Sequence, residues 1–307
     1  MKQSNPAISA IIPVYNREWT IARAIESVLA QSMRVSEIIV VDDGSTDGTA
    51  SIVQHQYGKY VKYIHTENHG VSQARLAGVE AARCEWIAFL DSDDEWIRNK
   101  TEVQAEVASR AEPDVLWIFS DVEVLFSDGK RETRFAANGF APGNLEIRET
   151  PVDLCLPLMY PLFPASLIKR EAILSSDALR YGFRVGEDTL LAVDLALRGA
   201  FAATADVVAR VYRTADLKGS SVSAALVKSQ EFFRARMATY EKLIEANGDA
   251  RWRLKYEGMV RGLCNAMNNS PIQDRIVVAK GQFKHGWSLK AMLYLGQLLV
   301  RGAFTRT

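Results

Sequence analysis

The sequence predicts an α/β fold, a mostly parallel, Rossmann-like sheet flanked by helices, with a C-terminal helical extension. Three observations predict it. Apolar runs and segments of helical period alternate through the first 125 residues. The apolar runs are continuous, as strands covered on both faces are in a parallel sheet. The last eighty residues are mostly helical in pattern.

AISAIIPVY (residues 7–15) is the first strand. TIARAIESVLAQ follows, with Ile21, Ile25, Val28 and Leu29 at helical spacing and Thr20 as the expected N-cap. SEIIVVDDGS is a second buried strand that ends in acids and a turn. TDGTASIVQHQYG reads as a helix, VKYIHTE as a third strand and VSQARLAGVEAA as another helix, before the strand EWIAFLD. Between 135 and 183 the pattern weakens into short apolar pieces among Pro142, Gly143, Pro151, Pro157, Pro161 and Pro164. FRVGEDTLLAVDLALRGA then gives a turn at Gly186 and a helix with acids at its start, and AATADVVARVYR a returning strand. Breaks near Asn247-Gly248 and Asn268–Pro271 divide the helical remainder.

The chain has 307 residues, 48% hydrophobic and 24% charged, the balance of a protein with a sizeable core. Its net charge of zero hides an asymmetry: Lys228–Thr307 carries 14 Lys and Arg against 6 Asp and Glu, a surplus of +8. The preceding residues carry the compensating −8, so the body is no nucleic-acid binder. Cysteines 84, 155 and 264 stand singly, which fits a reducing compartment and excludes a zinc knuckle. Histidines 55, 65, 69 and 285 have no metal-ligand spacing. The N-terminal apolar run is short and ends at a proline, so no signal peptide is expected, and no run of eighteen apolar residues spans a membrane. A cytoplasmic protein is expected.

In sheets of this kind ligands bind at the carboxyl ends of the strands. Pro13–Asn16, Asp42–Asp43, Asn68–Gly70 and Asp91–Asp94 all fall at such ends. The densest cluster is FLDSDDEW, where Asp91, Asp93, Asp94 and Glu95 crowd into five positions and repel one another. One reading makes these acids a helix N-terminus, where carboxylates complement the macrodipole. The other makes them ligands for Mg²⁺ or Mn²⁺, which take oxygen ligands and are commonly held by one or two carboxylates plus substrate phosphates. No Walker glycine loop and no GxGxxG is present, so neither a P-loop nor a dinucleotide site is expected.

IIPVYNREWTIARAIESVLAQS, EIIVVDDGSTDGT, NHGVSQARLAGVEAA and WIAFLDSDDEW, in that order and spacing, resemble the family 2 inverting glycosyltransferases of the GT-A fold. The resemblance covers residues 7–100, resumes at PASLIKREAI and FRVGEDTLL, and fades by about 225. It implies a GT-A-like domain over 1–225, with a nucleotide-binding half to about 125 and an acceptor half beyond, then a basic helical extension over 226–307. Pro13 and Tyr15 would line the nucleobase pocket, Asp42 and Asp43 would meet the base, and Arg75 would lie near the nucleotide. Asp91-Ser92-Asp93 would be the DxD motif, Asp91 toward the ribose and Asp93 the principal ligand of Mn²⁺ or Mg²⁺. Asp188 would be the general base, with Glu187 the alternative.

The implied reaction is a metal-dependent direct displacement from a nucleotide-sugar, with a UDP-sugar favoured, onto a hydroxyl of a glycan or lipid-linked glycan, in polysaccharide or cell-envelope biosynthesis. Two departures stand out. The chain has Ala74-Arg75-Leu76 where many relatives have ARN, and no histidine stands shortly after Tyr212-Arg213, in VYRTADLKGSSVS. Lys218 or Ser220–Ser223 are expected to reach the diphosphate instead. Two rival functions share the sheet logic. A sugar nucleotidyltransferase lacks support, because PVYNRE stands where its basic glycine-rich loop would be. The other is a non-catalytic carbohydrate-binding scaffold.

WSLKAMLYLGQLLVRGAFTR has an apolar centre too short to span a bilayer, flanked by Lys284, Lys290, Arg301 and Arg306. Two readings stand for this tail. It packs on the body or on a second copy of the chain in a homodimer, or it lies as an amphipathic helix on the anionic cytoplasmic face of a membrane.

Overall fold

The structure, a computed structural model, describes residues 6–156, 161–213, 229–247 and 249–267, together with 275, 279, 292–294 and 296–298. The chain divides into two compact units, Met1–Ser221 and Val222–Thr307.

The first unit opens with β1 (Ile8–Val14), α1 (Ile21–Leu29), β2 (Glu37–Asp42), α2 (Thr49–Tyr57), β3 (Lys62–His65), α3 (Val71–Ala81) and β4 (Trp86–Phe89). Each expected element of this half is present. β1 pairs in parallel with β2 on one side and β4 on the other, and β2 with β3. The apolar runs are buried on both faces: Ile8 to Val14 and Trp86 to Phe89 are buried throughout. β3 is the exception, since Lys62 and His65 are exposed at the sheet edge. Thr20 does precede α1 but does not cap it, and its buried hydroxyl has no partner. The main-chain oxygen of Arg17 accepts the amides of Thr20 and Ile21 instead.

After β4 come β5 (Glu95–Trp96), α4 (Lys100–Arg110), β6 (Val115–Phe126), β7 (Arg131–Thr133), α5 (Arg134–Asn138), β8 (Glu146–Arg148) and α6 (Val152–Cys155). A 3-10 turn, Phe163–Ala165, leads into β9 (Ser166–Lys169), α7 (Arg170–Leu174), α8 (Glu187–Ala196) and β10 (Ala200–Arg213). Among the described residues ten strands form one sheet, ordered β3-β2-β1-β4-β9-β6-β10-β5, with β7 on β6 and β8 on β10. β9 is antiparallel to both β4 and β6, so it joins a parallel half to a mixed half. From β1 the chain leaves toward β2 and β3, then returns to β4 on the opposite side of β1. The strand order therefore reverses between β1 and β4, where open α/β sheets bind ligands.

The second unit contains α9 (Gln230–Asn247) and α10 (Ala250–Ala266). Asp249 caps α10 by accepting the Arg251 amide at 2.8 Å. A Cβ on Gly262 would lie 2.3 Å from the Phe233 ring, so glycine lets the two helices approach closely. Most of the tail 287–306 lies outside the described residues, although 292–294 and 296–298 are helical. Within this unit the Tyr294 hydroxyl donates to Asn265 of α10 at 3.2 Å. No helix of the described residues is long and apolar enough to cross a membrane.

At the start of α4, Lys100 is fully buried, and among the described residues no carboxylate pairs with it. Its Nζ donates to Gln104 Oε1 at 2.6 Å and to the Ser166 carbonyl at 3.1 Å, and sits 4.4 Å from the Trp96 ring centroid. Burial pulls its pKa down to about 7. Below that pH the ammonium is charged in both states, and its desolvation weakens the fold. Between about 7 and the ordinary value of 10.5 the unfolded chain holds a proton the folded chain lacks, so stability rises with pH. Relative to Lys100→Met, wild type is expected to gain up to about 1.4 kcal/mol per pH unit across that window. Urea unfolding of both proteins at several pH values measures this, and a constant difference would contradict it.

Candidate active site

The four polar clusters follow β1, β2, β3 and β4 at one edge of the parallel half, as expected. Hydrogen bonds knit the loops after β1 and β2 together. The Asn16 amide donates to Ser45 Oγ at 2.9 Å, Thr46 N to Asn16 Oδ1 at 2.8 Å, and Arg17 N to Thr49 Oγ1 at 2.9 Å. Asn16 has φ +50°, alone among described non-glycine residues in the left-handed region, which asparagine tolerates through such local bonds. Pro13 is buried in β1, while Tyr15 is 45% exposed at the rim.

Asp42 and Asp43 are both buried, with their oxygens committed to protein donors. Asp42 accepts the Ser45 amide at 2.8 Å and the Tyr63 hydroxyl at 2.6 Å. Burial and this bond to Asp42 raise the pKa of the Tyr63 phenol. Asp43 accepts the amides of His69 and Gly70, both at 2.8 Å. It thereby fixes the start of α3, where Gly70 takes φ +91°. Any contact of Asp43 with a base must use its remaining lone pairs.

α3 rests close on the sheet because Gly78 has no side chain: a Cβ there would lie 2.5 Å from Ile11 Cγ2. That approach carries Arg75, one turn earlier on the same face, into the interior. Arg75 Nη1 donates to Glu187 Oε1 at 2.5 Å, Nη2 donates to Asp91 Oδ1 at 2.6 Å, and the guanidinium lies 4.6 Å over the Phe163 ring. Burial disfavours this cation, but Asp91 and Glu187 outweigh it and hold its pKa above the ordinary arginine value. Glu187 is buried, and desolvation, with Asp188 beside it, pushes its pKa up to about 7 against the opposing pull of Arg75. Asp188 is half-buried, and its Oδ1 accepts the amide of Thr189 at 2.6 Å. Among the described residues its Oδ2 accepts no hydrogen bond.

FLDSDDEW does not start a helix. Asp91–Asp94 form a turn between β4 and the two-residue β5, closed by Asp94 N donating to the Asp91 carbonyl at 3.0 Å, and α4 begins only at Lys100. The helix-cap reading therefore fails for these acids, and Asp47, not Asp42 or Asp43, serves the start of α2. It holds only for Glu187 and Asp188, in the first turn of α8. Asp94 is buried and accepts the Tyr212 amide at 3.0 Å, tying the turn to β10. Ser92 is buried within the turn. Asp93 is partly exposed, and burial together with Asp91 raises its pKa.

No group of three or more His, Cys, Asp and Glu side chains that could hold a metal stands together among the described residues. Asp91 and Asp93 nevertheless fit a divalent ion whose remaining ligands are substrate phosphate oxygens and water. Asp91 crowds negative charge around Asp93, whose carboxylate lies 3.8 Å from Arg17 Nε and also feels the charge of Arg213. A hard cation at that carboxylate would relieve the crowding.

Of the expected site residues, Arg75, Asp91, Glu187 and Asp188 are brought to one cluster, with Ser92 and Asp93 in the adjoining turn. Asp42 and Asp43 stand at the end of β2, which β1 separates from β4. Lys218 and Ser220–Ser223 lie outside the described residues. Sequence reasoning missed Phe163 beneath Arg75, because the segment before it has no period. It also missed Tyr63 on Asp42 and Arg23, which donates to the Asp93 carbonyl and lies 3.9 Å over the Tyr212 ring.

The family profile described as Glycosyl transferase family 2 matches residues 9–172. An uncharacterized glycosyltransferase of Rickettsia bellii is 32% identical over 193 residues, 62% of this chain and 26% of that protein. The putative teichuronic acid biosynthesis glycosyltransferase TuaG of Bacillus subtilis is 39% identical over 139 residues, 44% of this chain and 54% of that protein. The succinoglycan biosynthesis protein ExoO of Rhizobium meliloti is 31% identical over 198 residues, 61% and 54% of the two chains. The match thus spans between about a quarter and about half of these relatives. Among solved structures, S. aureus TarS 1-349 in complex with UDP-GlcNAc superposes with a TM-score of 0.65 at 18% identity, over 91% of this chain and 81% of that one. That likeness is one of fold: a mostly parallel sheet flanked by helices.

Tyr63→Phe deletes one of the two donors to the buried Asp42 carboxylate. It is expected to cost about 1–3 kcal/mol of unfolding free energy, read by urea denaturation. An unchanged midpoint would mean that water or another donor already satisfies that oxygen.

Proposed function

The chain belongs to glycosyl transferase family 2, and from that premise we propose that it transfers a sugar from a nucleoside diphosphate donor, a UDP-sugar first, to a glycan hydroxyl with inversion. One observation carries the reading: Arg75 joins the Asp91 end of the DSD turn to Glu187, next to Asp188. A group that binds the donor and a group that receives a proton are thereby held on one frame. TarS has been crystallised with UDP-GlcNAc and with UDP, and TuaG and ExoO carry polysaccharide-biosynthesis names, which supports a UDP-sugar and a polysaccharide acceptor.

In this reading Asp188 Oδ2 takes the proton of the acceptor hydroxyl as that oxygen attacks the anomeric carbon, and the nucleoside diphosphate leaves on the opposite side. Glu187 is the poorer base, since it is buried and its Oε1 is occupied by Arg75. It positions Arg75 and the first turn of α8. A single base, rather than two carboxylates flanking the bond, matches direct displacement without a covalent intermediate. Asp93, with Asp91, would hold Mg²⁺ or Mn²⁺, which when bound supplies charge neutralisation to the leaving diphosphate. Asp43, Tyr15 and Pro13 would border the base, at the end of β2 and the rim of β1. Residues 1–225 would form the transferase domain and 226–307 a basic helical extension.

Thermal unfolding with UDP, GDP and dTDP, each with and without Mn²⁺, tests the donor reading. A nucleotide at about 100 times its Kd adds about 2.7 kcal/mol, several degrees for a domain of this size. UDP with Mn²⁺ is expected to give that shift in wild type and not in Asp93→Ala. Asp188→Asn should keep the shift while losing turnover by a factor of about 10²–10⁴. Absence of a shift with every nucleotide would contradict the donor reading, and full turnover in Asp188→Asn the assignment of the base.

A further inference from the structure

Arg17 stands at the junction of two features: the turn after β1, in which Asn16 takes φ +50°, and the DSD turn after β4. Its Nε lies 3.8 Å from Asp93 Oδ2, beyond hydrogen-bonding distance. Its firmer attachment is to its own loop, Nη1 donating to the Asn16 carbonyl at 3.1 Å, while its main-chain amide is fixed by Thr49 Oγ1. Neither partner is sealed in, the side chains of Arg17 and Asp93 being 19% and 28% accessible. The Asp93 backbone is held independently, by Arg23 donating to its carbonyl oxygen. The Asp93 main chain therefore keeps its place whether or not Arg17 faces the carboxylate.

We propose that Arg17 is a displaceable counter-ion. It neutralises Asp93 while no divalent cation is bound, and moves to the donor's diphosphate when a cation takes that carboxylate. The inference rests on the reading of Asp93 as a metal ligand. A divalent ion at Asp93 repels a guanidinium some 4 Å away, and a diphosphate sharing that ion comes within a few ångström of Asp93. Arginine suits the second role, since its planar fork bonds phosphate oxygens in pairs. One cation would then serve both states, shielding crowded carboxylates in the first and a leaving group in the second. It would also supply a positive contact to the diphosphate in a chain with no histidine shortly after Tyr212-Arg213.

The two roles have opposite signatures. In Arg17→Gln the nucleotide-free protein is expected to bind Mn²⁺ about 3- to 10-fold more tightly, because a competing positive charge is gone. With Mn²⁺ saturating, the same variant should bind UDP about 10-fold more weakly, for want of a charged donor. Mn²⁺ affinity is read from the electron paramagnetic resonance signal of the free ion, and UDP affinity by calorimetry. Arg17→Lys, which keeps the charge, should stay within about 3-fold of wild type in Mn²⁺ affinity. Arg110→Gln, on the exposed face of α4, controls for net charge and should move neither. Opposite movement of the two affinities in Arg17→Gln supports the proposal. Mn²⁺ affinity that is unchanged or weaker, or UDP affinity that is unchanged, overturns it while leaving the donor reading intact. A wild type that binds neither Mn²⁺ nor UDP overturns the donor reading, and this inference with it.

Discussion

A buried guanidinium between two carboxylates is the constraint around which the site is built. Arg75 cannot be desolvated without opposite charge nearby, and Glu187 cannot be ionised at its depth without a cation. Each therefore requires the other, and Asp91 shares the guanidinium's second face. The three residues come from α3, from the first turn of α8 and from the end of β4. Elements more than a hundred residues apart in sequence are thus fixed by two short charge-assisted hydrogen bonds.

What places Arg75 is a chain of smaller dependencies. Asp43 holds the amides of His69 and Gly70 just before α3, Gly70 turns the chain into the helix, and Gly78 lets the helix settle on β1 and β2. The Ser72 hydroxyl donates to the Phe183 carbonyl, which brings the segment before α8 onto the same helix. The acids of the DSD turn are compensated from outside it: Arg75 meets Asp91, Arg17 faces Asp93, and Asp94 accepts a β10 amide. Compensation is least complete at Asp93, whose carboxylate has no cationic partner within hydrogen-bonding distance among the described residues. The arrangement suits a site that must be stable before its substrate arrives and still hold net negative charge for a metal.

The parallel half was legible because β1, β2 and β4 are buried on both faces and α1 has one apolar face, so the pattern of the sequence reports these elements directly. The site edge followed from topology, since every loop after a parallel strand emerges on one side. Asp91, Glu187 and Asp188 were legible as motif residues, but the bond between Arg75 and Glu187 was not, because nothing local links positions 112 apart. The stretch 135–183 resisted reading for a physical reason: its elements are three to five residues long, too short for a period to repeat. Phe163, the ring beneath Arg75, lies there. The helix-cap reading of FLDSDDEW was locally reasonable, and failed because β5, only two residues long, takes the place of a helix start.

The measurement that bears most directly on this account is a double-mutant cycle between Arg75 and Glu187, with wild type, Arg75→Met, Glu187→Gln and the double variant unfolded in urea. If the buried pair fixes the site, the two substitutions are coupled by about 2–3 kcal/mol, the double variant being far less destabilised than the sum of the single ones. Additivity within about 0.5 kcal/mol would show that the two side chains do not depend on each other, and would contradict the claim that this interaction organises the site.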